Sequence, residues 1–323
     1  MIPLRGTVES RNYPIVNTII IGLNALVYLA ELTQGQNLTQ FILTYGLVPA
    51  RYSAPEVAHY FSPAQQVLAF FSFMFIHGGF LHLLGNMWSL FIFGNNVEDR
   101  LGPIRYLIFY LLCGWASGMV HLFMNWDSHF PTIGASGAIA GVMGAYLILF
   151  PGSRILTFIP IFFLPYFIEV PAFFFLGLWF VFQFFHAAGS PAQSSGIAWW
   201  AHIGGFISGI VFLKICLKIP ELGVTSRLRH AISKRKTPRL QILRTNGSAE
   251  DPHLYGSISI TPQEAQLGTR KLVNIPWGYQ RRLFWVRVPP RVNHGTTLRL
   301  TGIGKRIDRR QRGNLYLKVL IRP

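Results

Sequence analysis

The chain contains six apolar segments, each near the length of about 20 residues that an α-helix needs to cross a lipid bilayer. They fall at residues 15–32, 81–94, 104–123, 133–150, 170–185 and 197–217. Only 13% of the 323 residues are charged, about half of the roughly 25% that is typical of soluble domains. The pattern therefore predicts an all-α polytopic membrane protein with six transmembrane helices, followed by a shorter segment of different character.

The charge of the chain changes sharply near residue 214. Residues 1–213 hold 6 Lys+Arg and 7 Asp+Glu, which leaves 23 of the 29 basic and 5 of the 12 acidic residues for the remainder; the net charges are −1 and +18. We therefore predict a membrane domain over 1–217, a basic linker over 218–250 and a small, mainly β domain over 251–323. Basic residues beside a span favour anionic lipid head groups, and nucleic-acid binding is the less favoured alternative.

The positive residues of the loops predict the orientation in the membrane. The side that holds both termini carries Arg5, Arg11, Arg100, Arg105, Arg154, Lys214 and Lys218, whereas the opposite side carries only Arg51. Both termini are therefore predicted to be cytoplasmic, in a multi-pass protein of the cell membrane. The polar N-terminus has no signal-peptide h-region, so the first apolar segment is expected to be retained as a span.

The fourth apolar segment carries one hydroxyl among small residues, Ser136, which is flanked by Gly134 and Gly137. A serine at the start of a helix lies beside free backbone N–H groups and the positive end of the helix dipole. These features suit a nucleophile whose attack creates an oxyanion. The alternative for this segment alone is a helix-packing seam in which Ser136 is another small residue.

The sixth segment begins with His202, and a histidine inside a membrane segment indicates function because it is costly to bury. Small residues recur at short spacing in both segments: Gly137, Gly141 and Gly144 in the fourth, and Ala201, Gly205 and Gly209 in the sixth. Such spacing lets two helix backbones touch. If the two stripes face each other, Ser136 and His202 lie at equal depth, as a Ser–His pair requires. The alternative for His202 is an interfacial residue beside the tryptophans that precede it.

The second segment places His82 and Asn86 four residues apart, which puts both side chains on one helical face. Two donors aimed at one point, with the N–H of Ser136, would form an oxyanion hole. A pair of polar residues that bridges helices is the alternative. The two cysteines lie in apolar segments, and there is no H-E-x-x-H motif, so neither a metal nor a cofactor is expected.

Taken together, these motifs resemble the rhomboid family of intramembrane serine proteases. The resemblance rests on GASG at 134–137, AHIGG at 201–205, HGGFLHLLGN at 77–86 and VEDRLG at 97–102, and it covers about residues 15–217. It implies that Ser136 is the nucleophile, that His202 is the general base and acid, and that His82 and Asn86 are oxyanion donors. It also implies that transmembrane proteins are the substrates and that the loop AAGSPAQSSG at 187–196 caps the site.

The sequence departs from the family at Ala140, where some rhomboids have a tyrosine that supports the ring of the catalytic histidine. The support is therefore absent here or comes from another residue. The alternative function is a catalytically silent rhomboid-like protein that binds transmembrane helices.

The tail shows alternating strands and a helix start at Thr261 and Pro262. Residues 252–323 resemble the C-terminal β-sandwich domain of DnaJ-type chaperones, through ISITPQEAQLGT, VPPRVNHGTTLRLTGIGK and GNLYLKVLIRP. That resemblance implies a groove for extended or unfolded peptide, and a spacer domain is an equal alternative. The His-Pro-Asp tripeptide of a J-domain and the Cys-x-x-Cys of a zinc module do not occur in the sequence.

Overall fold

The computed structural model describes residues 1–8, 10–161, 164–189, 198–219, 237, 240–243, 251–277, 280–306 and 311–322. The chain divides into two compact units, Met1–Ile232 and Ser233–Pro323. Most of the predicted capping loop at 187–196 and most of the predicted basic linker at 218–250 lie outside the described residues.

Six long helices of the first unit lie where the sequence predicts membrane segments. They are α1 (Ile15–Leu32), α6 (Phe80–Leu101), α7 (Pro103–Met124), α8 (Ser136–Leu149), α9 (Ala172–Gly189) and α10 (Trp199–Lys218). The short helices α2 (Leu38–Tyr45), α3 (Ala50–Ser53), α4 (Pro55–Ala58) and α5 (Pro63–Ser72) connect α1 to α6. This order places four short helices, none as long as a membrane span, between the first two long helices.

Not all six long helices have the length and hydropathy of a membrane span. Within the described chain, α1, α7, α9 and α10 meet both requirements, which makes 4 candidate spans. The helices α5 and α6 meet the same requirements only when they are taken together, and they are bent by 77° relative to each other. Counting this pair as one span raises the number of candidate spans to at most 5. Helix α8 is apolar but has only 14 residues. The described chain therefore has four candidate membrane spans, or five with the bent pair, and six spans remain a prediction.

The first unit also contains an antiparallel sheet, so the prediction of an all-α membrane domain was wrong at this point. Its strands β1 (Ile2–Gly6), β2 (Arg154–Ile161) and β3 (Leu164–Pro171) are hydrogen-bonded in the order β1-β2-β3. The apolar stretch at 154–167, which is interrupted by prolines, predicts a loop. Pro160 and Pro165, however, lie opposite each other at the end of the hairpin, where few ladder bonds are lost. The N-terminus supplies the third strand, which a two-stranded hairpin needs for stability.

Two carboxylates at the end of α6 hold the start of α1. Oε2 of Glu98 accepts a hydrogen bond from the backbone N–H of Asn17 at 2.7 Å. The Asp99 carboxylate accepts from the backbone N–H groups of Arg11 and Asn12, each at 2.9 Å. The first N–H groups of a helix have no intrahelical acceptor, and their positive end favours anions. The motif at 97–102 therefore fixes the packing of α1 on α6.

The second unit is mainly β, as predicted. It consists of β4 (Leu240–Ile242), β5 (Leu254–Ile260), α11 (Pro262–Leu267), β6 (Thr269–Trp277), β7 (Gln280–Val288), β8 (Thr297–Leu300) and β9 (Leu315–Ile321). Two three-stranded sheets, β4-β6-β7 and β5-β9-β8, share one apolar core. Strand β4 lies within the stretch that the sequence predicts as linker. Its parallel pairing with β6 means that the folded unit begins before residue 251.

A buried ion pair connects α11 to β6 in this unit. Nζ of Lys271 donates to Oε1 of Glu264 at 2.6 Å, and the two side chains are 2% and 8% exposed. Thr261, the predicted helix cap, forms a capping box with Glu264 at the start of α11. Burial alone would raise the pKa of Glu264, but hydrogen bonds from Lys271, Thr237 and Thr261 outweigh it and hold this pKa below its ordinary value.

Candidate active site

Ser136 is the first residue of α8, at the end of a segment that two other parts of the chain hold in place. The backbone groups of Leu47 and Thr132 exchange hydrogen bonds of 3.0 and 2.8 Å, and the N–H of Gly134 donates to the carbonyl of Phe73 at 2.9 Å. These bonds anchor the segment before α8 to the connection between α1 and α6. The serine therefore has a defined position at the helix N-terminus, where free N–H groups point away from the helix.

The backbones of α8 and α10 are in direct contact along their glycine stripes. A Cβ atom placed on Gly205 would overlap the carbonyl oxygen of Gly137, and one placed on Gly209 would overlap that of Gly141. No side chain fits between the helices at these levels. The two small-residue stripes noted in the sequence thus face each other, and this contact brings the first turns of both helices together.

Ser136 and His202 lie within hydrogen-bond distance across this contact. Oγ of Ser136 is 2.8 Å from Nε2 of His202. Both residues are partly exposed, so the pair is not sealed inside the core. A hydroxyl that donates to an unprotonated imidazole nitrogen is the arrangement of an activated nucleophile.

The other nitrogen of the His202 ring binds Gln183 of α9. Nδ1 of His202 lies 2.7 Å from Oε1 of Gln183. The ring centroids of Trp179 and Trp199 lie 5.9 and 6.1 Å from that of the imidazole. Gln183 was missed in the sequence analysis, although a polar side chain in an apolar helix requires a partner. Ala140 has no aromatic ring that could support the imidazole of His202. The contacts of this imidazole come from α9 and from the start of α10 instead.

His82 faces a small space beside the serine. Its Nδ1 accepts a hydrogen bond from the backbone N–H of Gly78 at 3.4 Å, so the hydrogen of the neutral ring is on Nε2. A Cβ atom on Gly134 would lie 2.8 Å from Nε2 of His82 and 3.7 Å from Oγ of Ser136. Gly134 has a φ of +121°, which disfavours any residue with a side chain. Glycine at this position keeps the space between donor and hydroxyl open.

Asn86 lies one turn further along α6 on the same face. It is 7% exposed, and its Nδ2 atom has no hydrogen-bond partner in the described part of the chain. A buried amide donor without a partner costs free energy, and functional sites are a common place for such a donor. His82 and Asn86 thus place two side-chain donors one turn apart on the same face of α6.

His77, at the loop before α6, occupies a supporting position. Its backbone N–H donates to Oε1 of Glu31 at 2.9 Å, and its side chain is buried. Its ring packs edge-to-face on that of His82, with centroids 5.1 Å apart. These contacts connect the end of α1 to the start of α6 and restrict the orientation of His82.

Comparison with known proteins gives one family for the first unit. The Rhomboid domain matches residues 64–219, a range that includes Ser136, His202, His82 and Asn86. Rhomboid protein 1, mitochondrial, of Saccharomyces cerevisiae is 30% identical over 145 residues, which are 43% of this chain and 38% of the relative. The putative rhomboid protease YdcA of Bacillus subtilis is 38% identical over 74 residues, 23% of this chain and 37% of the relative.

RHOMBOID-like protein 1 of Arabidopsis thaliana is 28% identical over 190 residues, 59% of this chain and 43% of the relative. The chain therefore spans less than half the length of each of these three relatives. The matches support the rhomboid family, whose members are generally serine intramembrane proteases, and with the apolar helices they indicate a multi-pass membrane protein. The Rhomboid match ends at residue 219, and none of these findings supports the DnaJ-like prediction for the tail.

Proposed function

We propose that this chain, whose residues 64–219 match the Rhomboid domain, is an intramembrane serine endopeptidase that cleaves transmembrane segments of other proteins. The observation that carries the proposal is the 2.8 Å contact between Oγ of Ser136 and Nε2 of His202. It occurs at the N-terminus of a helix, next to two donors of α6.

In the proposed reaction, Nε2 of His202 removes the proton of Ser136 as Oγ attacks the carbonyl carbon of the scissile peptide bond. The carbonyl oxygen becomes an oxyanion in a tetrahedral intermediate. His202 then passes the proton to the leaving amine, and an acyl-enzyme is left on Ser136. A water molecule, deprotonated by His202, attacks the ester, and collapse of the second intermediate releases the acid and restores the serine hydroxyl.

Nε2 of His82, the amide of Asn86 and the backbone N–H of Ser136 are the proposed donors to the oxyanion. A Cβ atom on Gly134 would lie within 2.8 Å of Nε2 of His82 and 3.7 Å from Oγ of Ser136, so glycine at this position keeps a side chain out of the region where the oxyanion would form. Preorganised donors of this kind stabilise the transition state because they require no reorganisation when charge develops. The unpartnered Nδ2 of Asn86 supports this role.

We propose that the protein lies in the cell membrane, crosses it six times and has both termini in the cytoplasm. Helix α8 is short, about 21 Å at a rise of about 1.5 Å per residue, and begins at Ser136, so the dyad would lie below the outer surface, in a cavity that admits water. The excess of positive loop residues on the side of the termini supports this orientation. The mitochondrial name of one relative makes an organellar membrane the alternative.

A catalytically silent protein that binds transmembrane helices would need neither an aligned Ser–His pair nor a free buried donor. The direct test is cleavage of a model transmembrane substrate by the purified full chain in detergent or vesicles. The full chain should cleave it and should react with a fluorophosphonate probe, whereas Ser136→Ala should do neither. Ser89→Ala is the matched control, because Ser89 lies on α6 and its hydroxyl donates to the carbonyl of Gly85 in its own helix. Absence of both cleavage and probe labelling in the wild type would reject the proposal.

A further inference from the structure

The imidazole of His202 is held at both nitrogens, and the second bond comes from an uncharged side chain. Nδ1 lies 2.7 Å from Oε1 of Gln183, which is 6% exposed. Gln183 is the only amide on α9, whose sequence is otherwise mostly aromatic and aliphatic. A buried amide is tolerated in such surroundings when both of its ends are hydrogen-bonded.

The other end of the Gln183 side chain determines which way the amide points. Its Nε2 donates to the backbone carbonyl of Trp179, one turn earlier on α9, at 3.3 Å. A carbonyl oxygen only accepts hydrogen bonds, so the NH2 group must face Trp179 and the Oε1 atom must face His202. An oxygen that faces Nδ1 requires a hydrogen on Nδ1. The neutral ring then has its lone pair on Nε2, the nitrogen that faces the hydroxyl of Ser136.

We propose that Gln183 is a positioning residue that holds His202 in the tautomer able to accept the proton of Ser136. The inference rests on the proposed function, since it assigns how the base of that reaction is prepared. Without an acceptor at Nδ1, the neutral ring is free to carry its hydrogen on Nε2 instead, and a ring in that form cannot act as a base toward the serine.

The rings around His202 limit its rotation while Gln183 selects its tautomer. Trp179 lies over one side, at an interplanar angle of 35°, and Trp199 meets the ring edge-on at 89°. An amide accepts the Nδ1 hydrogen without adding a negative charge to apolar surroundings, where an ion is expensive. In this way α9 supports the imidazole of His202, which Ala140 cannot do.

The kinetic test compares Gln183→Met with Gln183→Glu in the full chain. Methionine keeps the length of the side chain but accepts no comparable hydrogen bond, so kcat should fall by about tenfold or more, the factor for one lost hydrogen bond, with KM unchanged. Glutamate restores an acceptor and should recover most of kcat. Its charge favours the imidazolium form, so the acid limb of the pH–rate profile should move to higher pH. The other titratable side chains that affect His202 are His82 of α6 and His121 of α7, and both variants leave them in place.

Gln34→Met is the matched control. Gln34 also donates its Nε2 to the carbonyl four residues earlier, that of Ala30, at 3.0 Å, but it lies at the end of α1, away from the dyad. It should leave kcat and the pH profile unchanged. If Gln183→Met retains wild-type kcat, or if Gln183→Glu is as slow as Gln183→Met with an unmoved acid limb, Gln183 does not act through the tautomer.

A measurement independent of activity separates this inference from the proposed function. ¹⁵N NMR of histidine-labelled protein, assigned with His202→Ala, reports which ring nitrogen carries the hydrogen. We expect a protonated Nδ1 in the wild type and a mixture of tautomers in Gln183→Met. A wild-type ring protonated at Nε2, or an unchanged ring in Gln183→Met, overturns the inference even if the enzyme is active. A tautomer set by Gln183 in a chain that never cleaves would reject the proposed function alone.

Discussion

Oγ of Ser136 and Nε2 of His202 lie 2.8 Å apart although 66 positions separate the two residues in the sequence. The helices α8 and α10 that carry them touch backbone to backbone, because glycine occupies the facing positions. The distance between the serine hydroxyl and the imidazole is therefore set by the contact of two main chains. A contact of this kind is stiffer than one that depends on side-chain rotamers.

The two members of the dyad are expected to act as one unit. Ser136→Ala and His202→Ala should each abolish measurable cleavage, and the double variant should be no worse than either single one, because neither residue has a function in the reaction without the other. The measurement is kcat/KM on a transmembrane substrate, with thermal unfolding as a check on folding. His59→Ala, a substitution in the loop between α4 and α5, is the control. Additive losses in the double variant would mean that the residues act separately.

The donor of Asn86 should contribute to turnover more than to binding. Asn86→Ala is expected to lower kcat by about ten- to a thousandfold with little change in KM, the range known for one oxyanion donor. Asn86→Asp, which keeps the size but lacks the NH2 group, should be at least as slow. Folding of Asn86→Ala should be affected little, because the Nδ2 atom has no partner to lose in the described chain, whereas Asn86→Asp also buries a carboxyl group and needs the unfolding measurement as a check. Wild-type turnover in both variants would make Asn86 a packing residue.

The contact of α8 and α10 should not tolerate a single added methyl group. Gly205→Ala and Gly209→Ala are expected to destabilise the first unit by about 1–3 kcal/mol, the usual cost of overpacking, and to lower kcat because the helices must separate. Gly22→Ala is the control, since a Cβ atom there meets no other atom within 4 Å. That substitution should be neutral or slightly stabilising. The measurements are thermal unfolding and cleavage, and intact activity in Gly205→Ala would contradict the tight contact.

The second unit should be unnecessary for the chemistry. If the site opens to the outer side, residues after the sixth helix lie on the opposite side of the membrane and supply no catalytic group. A chain cut after Lys218 is therefore expected to cleave a short transmembrane substrate at close to the wild-type rate. Slower cleavage only of substrates with long cytoplasmic segments would indicate a recruiting role for the tail. Loss of all cleavage in a truncated chain that is still folded would contradict the separation.

The Glu264–Lys271 pair predicts how the stability of the second unit depends on pH. Because the pKa of Glu264 is lowered in the folded state, the unfolded state binds more protons as the pH falls. The stabilisation is thus complete above the ordinary pKa of 4.5 and is lost as the pH falls through the lowered value.

Lys271→Met should reverse this dependence. Without the ammonium group, we expect burial to dominate and to raise the pKa of Glu264, so the variant should be less stable at neutral pH and should gain stability as the pH falls through the raised pKa. Urea unfolding of residues 233–323, followed at several pH values, measures both slopes. The exposed Lys318→Met is the control and should leave the slope unchanged. If the stability of Lys271→Met depends on pH as that of the wild type does, the ion pair does not set the pKa of Glu264.

Much of the first unit follows from the sequence because its physical causes are local. The apolar run that became α1 has the predicted bounds of 15 and 32, since the bilayer requires a length and a hydropathy that can be read directly. The glycine spacing on α8 and α10 likewise predicts their contact, and the spacing of four between His82 and Asn86 predicts their common face. The capping box of Thr261 and Glu264 is also a local pattern.

Other features depend on partners that are distant in the chain, and only the tertiary structure decides them. The hairpin of β2 and β3 carries prolines, and it forms a sheet because β1, about 150 residues earlier, pairs with it. Strand β4 is three residues long within a basic stretch and is recognisable only from its pairing with β6.

The support of His202 is the clearest case of this division. The sequence places a serine and a histidine on two helices that must touch, and it places an amide on a third helix. Nothing in local spacing says that α9 turns Gln183 toward Nδ1 of His202. Helix rotation is set by the packing of every side chain on the helix, which is a property of the whole core. The sequence thus singled out the serine and the histidine as candidates for the reaction, whereas the tertiary structure decided which nitrogen of the imidazole faces the serine hydroxyl.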